Sequence, residues 1–453
     1  MKSRIAVYFL ILTVSAYFFV AREKNDRGTL VYPPWYHCLG IHKVSQTHLS
    51  IYSAFKEEFI NPQGLFCTKL YSRDDSTSTY DDDELTIYGV DEGTGHILYN
   101  KGLLSLEISD GSGRNKPGLK NPVDLTGDRH GNLFVTDSGN DRVILYKLHE
   151  GKLIPLYYIR KYNGMPLDNP FGVSLDSNHL YVTDRGNNRI AIYEIGDRIK
   201  EAESSFSLTP ELIGPTAISI ASSSDEWLYY DDYFIALVDS FGQRLWKIPD
   251  EGEPEVFRYE SLPGSGFFSH LDIDYYGNIY VTDSVENKVH KFDRNLRYII
   301  GLGGENDNNK ISFDQPRGIA IYKRFGQIFV SQRNGCKYFW IGTDIKNLKV
   351  KNISYDKESG NFSVNIFFLL TEYSTFSLYF ETEQEDEKYT LFEDYLFPPG
   401  IHDKVVKGSL KGKNKINNKI TGILAIASPT YSSVDFCRVE KRASMMKQMR
   451  LRE

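Results

Sequence analysis

Chemistry in this 453-residue chain would have to come from cysteines, histidines, carboxylates or one serine held between glycines. The four cysteines, Cys38, Cys67, Cys336 and Cys437, include no CxxC pair and no Cys/His cluster at metal-site spacing. Ser265 lies between Gly264 and Gly266 in a proline-flanked loop, which is not the strand–turn–helix setting of a nucleophile elbow. Asp124, Asp272 and Asp274 fall on strand-like stretches and are of the type that holds calcium through oxygen. Their spacing lacks a partner Glu that would make such a site diagnostic. The acidic runs 81–84 and 383–387 lack the glycine-punctuated spacing of a calcium loop and read as solvated loops. Zinc with an open position for substrate would need several histidines converging on one point. Whether any converge depends on the elements that carry them.

Those elements come from a repeat. PVDLTGDRHGNLFVTDSGNDRVILYKL (122–148) holds three short apolar runs separated by two turn sequences, the pattern of an antiparallel meander. Alone it could not bury its faces. It recurs as PFGVSLDSNHLYVTDRGNNRIAIYEI (170–195). A third copy begins at Pro215 and, after the insertion SSSDEWLYYDDY, resumes as IALVDSFGQRLWKI up to Ile248. SHLDIDYYGNIYVTDSVENKVHKF (269–292) and PRGIAIYKRFGQIFVSQRNGCKYFWI (316–341) complete the series. The starts fall roughly 45–55 residues apart, a propeller-blade period. The variable stretches between copies, such as 153–160 and 255–259, would supply each blade's outermost strand.

The pattern, Pro-x-Gly, alternating apolar residues, then Gly-Asn-apolar-Tyr-Val-Thr-Asp-Ser-Gly-Asn-x-Arg, resembles the NHL repeat, a β-propeller module. The resemblance covers residues 121–341. Four copies carry the Asp turn (Asp137, Asp184, Asp239, Asp283), and three follow it with Arg (Arg142, Arg189, Arg244). The fourth copy has Lys288, and the fifth departs with Gln332 and Cys336. Such propellers usually have six blades. The stretch LTIYGVDEGTGHILYNKGLLSLEI (85–108) offers either a sixth blade or a strand that closes the ring with the last one. The resemblance implies a six-bladed NHL-type β-propeller; with the strand-like runs after Ile341, which suggest a small antiparallel β-sandwich, the chain reads as all-β.

On that frame the first strand of each blade lines a central channel. The residue that leads into it shares a face with the turn after the second strand. The turn residues repeat and read as structural: Asp accepts backbone N–H groups of its own turn, and Gly and Asn tolerate positive φ. The Arg that follows is expected to pair with carboxylates of neighbouring blades. The lead residues, Val123, Phe171, Thr216, His270 and Arg317, do not repeat, and varied residues on a repeated frame are how a propeller makes a site. Phe171, His270 and Arg317 are therefore the candidate ligand-binding residues. No catalytic residue and no metal ligand is assigned. His130 and His179 fall in turns on the opposite face and His290 in a third strand, so only His270 stands at the channel mouth.

Two functions follow from the resemblance. The first is a non-catalytic module binding a protein, peptide or glycan at one propeller face. The second is a metal-dependent propeller enzyme of lyase or lactonase type with its site in the channel. The repeat's relatives include zinc-dependent peptide-amidating lyases, and similar six-bladed folds include calcium-dependent lactonases and streptogramin lyases. No cofactor is expected, because ligand spacing supports neither calcium nor zinc. Binding is the favoured reading.

The remainder of the chain sets the context. Lys2 and Arg4 precede an apolar stretch, 5–21, with Val14-Ser15-Ala16 suited to cleavage. Residues 1–21 read as a signal peptide or, uncleaved, a signal anchor, which would be the only membrane contact. The protein is expected to be exported, whether secreted, periplasmic or at the cell surface. Export makes disulfides available, with Cys38–Cys67 and Cys336–Cys437 one arrangement and free thiols the alternative. A net charge of −7 gives no reason to expect nucleic-acid binding. Residues 22–84 form an extension expected to pack on the propeller (85–343), and 51–66 could be a short amphipathic helix or a strand pair. Strand-like runs over 344–437 suggest a sandwich faintly resembling immunoglobulin-like modules, with Asn352 and Asn361 in glycosylation sequons. Residues 438–453 form a basic, helix-prone tail.

Overall fold

The computed structural model describes residues 28–34, 42–52, 58–74, 85–102, 105–113, 117–203, 211–222, 225, 227–304, 311–384, 388–410, 416, 418–431 and 437–444. The leader and Cys38 lie outside these residues. The chain forms two compact units, one of residues 32–340 and one of residues 1–31 with 341–453.

The larger unit is built of antiparallel sheets, and in all but the sixth sequence order equals spatial order, as expected where short turns join neighbouring strands. The first sheet runs Pro62–Lys69, Leu85–Asp91, His96–Gly102 and Ser105–Ser109. The second, at the repeat 122–148, runs Pro122–Gly127, Asn132–Asp137, Arg142–His149 and Lys152–Ile159. The third is Pro170–Leu175, His179–Asp184, Arg189–Glu194 and Lys200–Glu201, and the fourth Ile218–Ala221, Phe234–Asp239, Arg244–Pro249 and Glu255–Arg258. The fifth is Phe268–Ile273, Ile279–Asp283, Lys288–Phe292 and Tyr298–Gly303. The sixth takes Ile319–Tyr322, Gln327–Gln332 and Gly335–Ile341 from the last repeat and Lys43–Val44 from the N-terminal region. The outer strands at 152–159 and 255–258 fall where the inter-repeat stretches place them.

The 85–108 stretch thus supplies the middle and outer strands of the first sheet, while a more N-terminal strand joins the sixth. Gly335 permits that join. It has φ +124°, and a Cβ there would meet the Val44 carbonyl oxygen at 1.8 Å. The N-terminal extension is therefore part of the sheets rather than a layer upon them. Of the two readings of 51–66, both are partly met: a short helix spans Gln46–Tyr52 and a strand begins at Pro62.

The first strand of each sheet lies against that of the next, and that of the sixth against that of the first. Between adjacent sheets the inward-alternating residues form shared cores. Phe234, Ala236 and Val238 of the fourth sheet pack with Phe268, Leu271, Ile279 and Phe292 of the fifth. Cys67 and Leu85 of the first pack with Ala320, Tyr322 and Phe329 of the sixth. A fully buried aromatic such as Phe268 contributes about 2–3 kcal/mol by burial alone.

In the smaller unit, Ile345–Tyr355, Asn361–Leu370 and Gly400–Ser409 form one sheet. Lys388–Phe397, Ser374–Thr382, Ile420–Pro429 and Val439–Ser444 form a second, in that spatial order. The two share one core, in which Phe368 and Phe376 stack at 4.5 Å. Residues 439–444 are a strand paired to Ile420–Pro429, where a helix-prone tail is expected from composition. Cross-strand pairing outweighs a propensity that is only a weak prior. The Cys336–Cys437 bond is not formed: none of Cys67, Cys336 and Cys437 is in a disulfide. Among the described residues no helix is long and apolar enough to cross a membrane.

Candidate functional site

The mouth of the channel is set by a register irregularity at the start of the innermost strands. In the second sheet Pro122 pairs with Asp137 and Leu125 with Val135, three residues against two. The same shift occurs at Pro62, Pro170 and Phe268. Such a bulge bends the strand and re-aims its side chains. It also fixes which residues are equivalent. Val123, Phe171, Thr216 and Arg317 lead their strands as the sequence suggests, joined by Gln63 of the first sheet.

His270 is the exception. Phe268 stands where the other copies have proline, so Ser269 is the lead residue and His270 lies one place deeper. The equivalent places hold Gly64, Asp124, Gly172, Ala217 and Gly318. Small residues are needed there because the next sheet crowds in: a Cβ on Gly172 would meet the Thr216 carbonyl oxygen at 2.3 Å. Only His270 and Asp124 carry long side chains at this depth.

The structure still brings the three candidate residues together. The Phe171 and His270 rings lie 5.9 Å apart, although they come from the third and fifth sheets. Arg317, on the sixth, is close enough for its charge to act on His270. His270 is 4% exposed, and neither ring nitrogen has a hydrogen-bond partner. Burial pushes its pKa down to about 4; the Val123 backbone, near the ring but outside hydrogen-bond geometry, opposes this and Arg317 reinforces it. The imidazole is therefore neutral, with one donor and one acceptor nitrogen.

The sequence missed two further members. The Arg185 guanidinium lies 5.1 Å from the Phe171 ring centre and 5.1 Å from that of Phe241, a cation–π bridge between the third and fourth sheets. Phe241 is 62% exposed and holds φ +58°, a conformation rare for a bulky residue. Both sit in the turns after the second strands, where the shared Asp drew attention and the variable neighbours did not. Burial lowers the pKa of both Arg185 and Arg317, with Glu92 opposing the effect on Arg317.

The repeated turn carboxylates are structural, but their Arg partner is not the expected one. Arg142 donates to Asp137 at 2.5 Å, Arg189 to Asp184 at 2.8 Å and Arg244 to Asp239 at 2.7 Å, each within its own sheet. Two-residue pairing across the second and third strands places the Arg directly opposite the Asp (Asp137↔Arg142), so a neighbouring blade is not reached. Where Lys288 replaces Arg, His290 lies 3.3 Å from Asp283.

Below the mouth, the Asp124 carboxylate accepts the N–H groups of Leu125 and of Val173 on the next sheet, at 2.9 and 3.0 Å. Burial, with Asp272 adding to it, raises its pKa to about 8. Asp272 likewise accepts from Ile273 and from Ile321 on the next sheet, and from the Ser219 hydroxyl. Each clamps one innermost strand to its neighbour. Asp274 is not a strand residue: it lies past Ile273 and accepts from Tyr276 and Asn278 in the turn. Among the described residues no three His, Cys, Asp or Glu side chains gather as metal ligands would.

A ring of hydroxyls supports the whole. Thr282 accepts the His270 N–H and donates to the Arg317 carbonyl. Thr136 does this for Asp124 and Phe171, Thr183 for Gly172 and Thr216, and Ser331 for Gly318 and Gln63. Phe171, Thr216, Arg317 and Gln63 are thus held by their backbones, each to the preceding sheet.

The NHL repeat family model matches residues 167–193, the third sheet with the segment before it. No curated protein matches the chain. Among solved structures the chain is similar to virginiamycin B lyase from Staphylococcus aureus at 17% identity, covering 56% of this chain and 76% of that one, with a TM-score of 0.38. It is similar to a streptogramin B lyase at 12% identity, covering 62% and 96%, with a TM-score of 0.42. A calcium-binding protein, regucalcin from Agrobacterium tumefaciens, is 13% identical, with 63% and 90% covered and a TM-score of 0.40. None of the three lends this chain an activity.

Proposed function

We propose that residues 32–340 form a six-bladed NHL-type propeller that binds a protein, peptide or glycan at the mouth of its channel without catalysing a reaction. The observation that carries this reading is the convergence of Phe171, His270 and Arg317 from three different sheets onto one point, on a frame that otherwise repeats. The six sheets, each innermost strand against the next, support the ring. The hydroxyl of Ser331 on the Gln63 carbonyl supports its closure. The smaller unit is read as an immunoglobulin-like sandwich. In support, its first, second and fifth strands form one sheet, and its third, fourth, sixth and seventh the other. That order differs from the constant-type arrangement only in the sheet to which the fourth strand belongs. On this reading the protein is exported, and the sandwich acts as spacer or attachment module.

The metal-dependent enzyme is the weaker reading. Both channel carboxylates that would serve calcium are already bonded to backbone N–H groups, and among the described residues His270 belongs to no cluster of metal-ligating side chains. The test is to probe peptide and glycan arrays with the purified protein. Hits should be lost in Phe171→Ala while its unfolding midpoint is kept. Stoichiometric calcium or zinc that is released by chelation and lost in His270→Ala would instead favour the enzyme.

A further inference from the structure

The mouth combines features that folding does not require. Arg185 and Arg317 are both half-buried, and neither guanidinium has a carboxylate or hydrogen-bond partner among the described residues, in a protein whose net charge is −7. The His270 imidazole is buried with two unpartnered nitrogens, and a buried polar atom without a partner costs about 1–3 kcal/mol. Phe241 exposes its ring from a left-handed backbone position, and such strain gathers where a surface is used. The Arg185 guanidinium lies over the rings of both Phe171 and Phe241.

We infer that the mouth takes a ligand presenting a single carboxylate beside a flat apolar group, the carboxylate pairing with Arg317 and accepting the His270 imidazole N–H, the apolar group packing against the stack that Phe171, Arg185 and Phe241 form. This inference rests on the binding reading above and names the ligand chemistry within it. Arg matches a carboxylate with two parallel hydrogen bonds, and a neutral imidazole supplies a third donor without adding charge. A monoanion fits better than a dianion. Glu92, hydrogen-bonded to Asn61 and Gln63, faces Arg317 and would repel a second negative charge. Arg185, over the rings, favours a ligand whose apolar part stacks rather than one that is bulky and branched.

The probe is phenylacetate, titrated into the full-length protein at low salt and read by isothermal titration and thermal shift. Phenylacetate is expected to bind and to raise the melting temperature. Phenylacetamide, its neutral isostere, should bind at least about tenfold more weakly, since a charge-assisted bond is lost. Acetate should be weaker for want of the ring. Arg317→Gln and Phe171→Ala should each weaken phenylacetate by about tenfold or more. Raising the salt should weaken the wild-type interaction. Equal binding of phenylacetate and phenylacetamide would overturn the inference, as would unchanged binding in Arg317→Gln. If that variant does not fold, the amide comparison and the salt dependence of the wild type decide alone. An array ligand that is neutral, needs Phe171 and ignores Arg317 would overturn the carboxylate while leaving the binding reading intact. Silence from both the arrays and phenylacetate would remove both.

Discussion

Asp137 shows how much a repeated side chain can carry without touching a ligand. It accepts the Lys120 backbone N–H, the Asn140 amide and the Arg142 guanidinium, and Arg142 itself is 3% exposed. Removing one partner of a buried ion pair leaves the other uncompensated, so Asp137→Ala should cost about 3–5 kcal/mol in urea unfolding. Replacing both partners by apolar residues, as Asp137→Ala with Arg142→Met, should recover part of that loss. A double variant no better than the single one would show that the backbone bonds to Asp137, not the pair, set its value. Arg189, opposite Asp184, is 22% exposed and can reach water, so Arg189→Ala should be milder than Arg142→Ala. Thr282 makes a second residue-scale prediction. Its hydroxyl serves the His270 N–H and two carbonyls, so Thr282→Val should cost about 1–3 kcal/mol by orphaning that N–H.

At the scale of elements, the innermost strands are packed to the limit of backbone approach. A Cβ at Gly172 would sit 2.3 Å from the Thr216 carbonyl oxygen, a backbone atom that cannot swing aside. Gly172→Ala should therefore destabilise by about 1–3 kcal/mol, measured as a shift in urea midpoint. A neutral result would mean the strands can part without cost. The same crowding explains what the sequence showed and what it hid. The strands and turns of the five copies were legible because apolar alternation and Asp-Gly-Asn turns recur at one period. The lead residue of the fifth sheet was not. Counting from SHLDI put His270 at the mouth, whereas the bulge between Phe268 and Leu271 gives that place to Ser269. The missing proline was the available signal, since Phe268 occupies its position. The recurring Thr136, Thr183 and Thr282 were visible as pattern, yet their inter-sheet role was not, because a hydroxyl on a buried strand face reveals no partner until the next sheet is placed. Arg185 and Phe241 stayed hidden for the opposite reason: they break a repeat, and one sequence cannot separate a functional break from drift.

For the whole propeller unit, stability should vary with pH in a way set by two buried groups of opposite sign. His270 has a folded pKa of about 4, below the usual 6.5. The unfolded chain therefore binds the extra proton first, and the His270 contribution is full above pH 6.5 and lost as pH falls toward 4. Asp124 has a folded pKa of about 8, above its ordinary 3.8. Here the folded state holds the proton longer, so the contribution is full below pH 4 and lost as pH rises toward 8. Each acts at a slope of about 1.4 kcal/mol per pH unit. Between pH 4 and 6.5 the slopes oppose and largely cancel. From 6.5 to 8 the Asp124 slope is no longer opposed by His270; Asp272, whose pKa burial also raises, adds a slope of the same sign as that of Asp124. The depressed carboxyls Asp225 and Asp283 titrate below about pH 4 and stay outside this window. Urea midpoints should thus be nearly level from pH 4.5 to 6.5 and then fall, by roughly 2 kcal/mol at pH 8. The two units need not unfold together, so the reading requires a probe inside the propeller, such as Trp246 fluorescence. Asp124→Asn should flatten the fall above 6.5 even though it gives up one backbone acceptor. His270→Phe should uncover the Asp124 slope below 6.5, so that stability rises as pH drops. A wild-type midpoint that climbs from pH 6.5 to 8 would show that Asp124 is ionised in the folded channel. The strand clamp at Val173 would then be a charged one, held in a channel more polar than its burial implies.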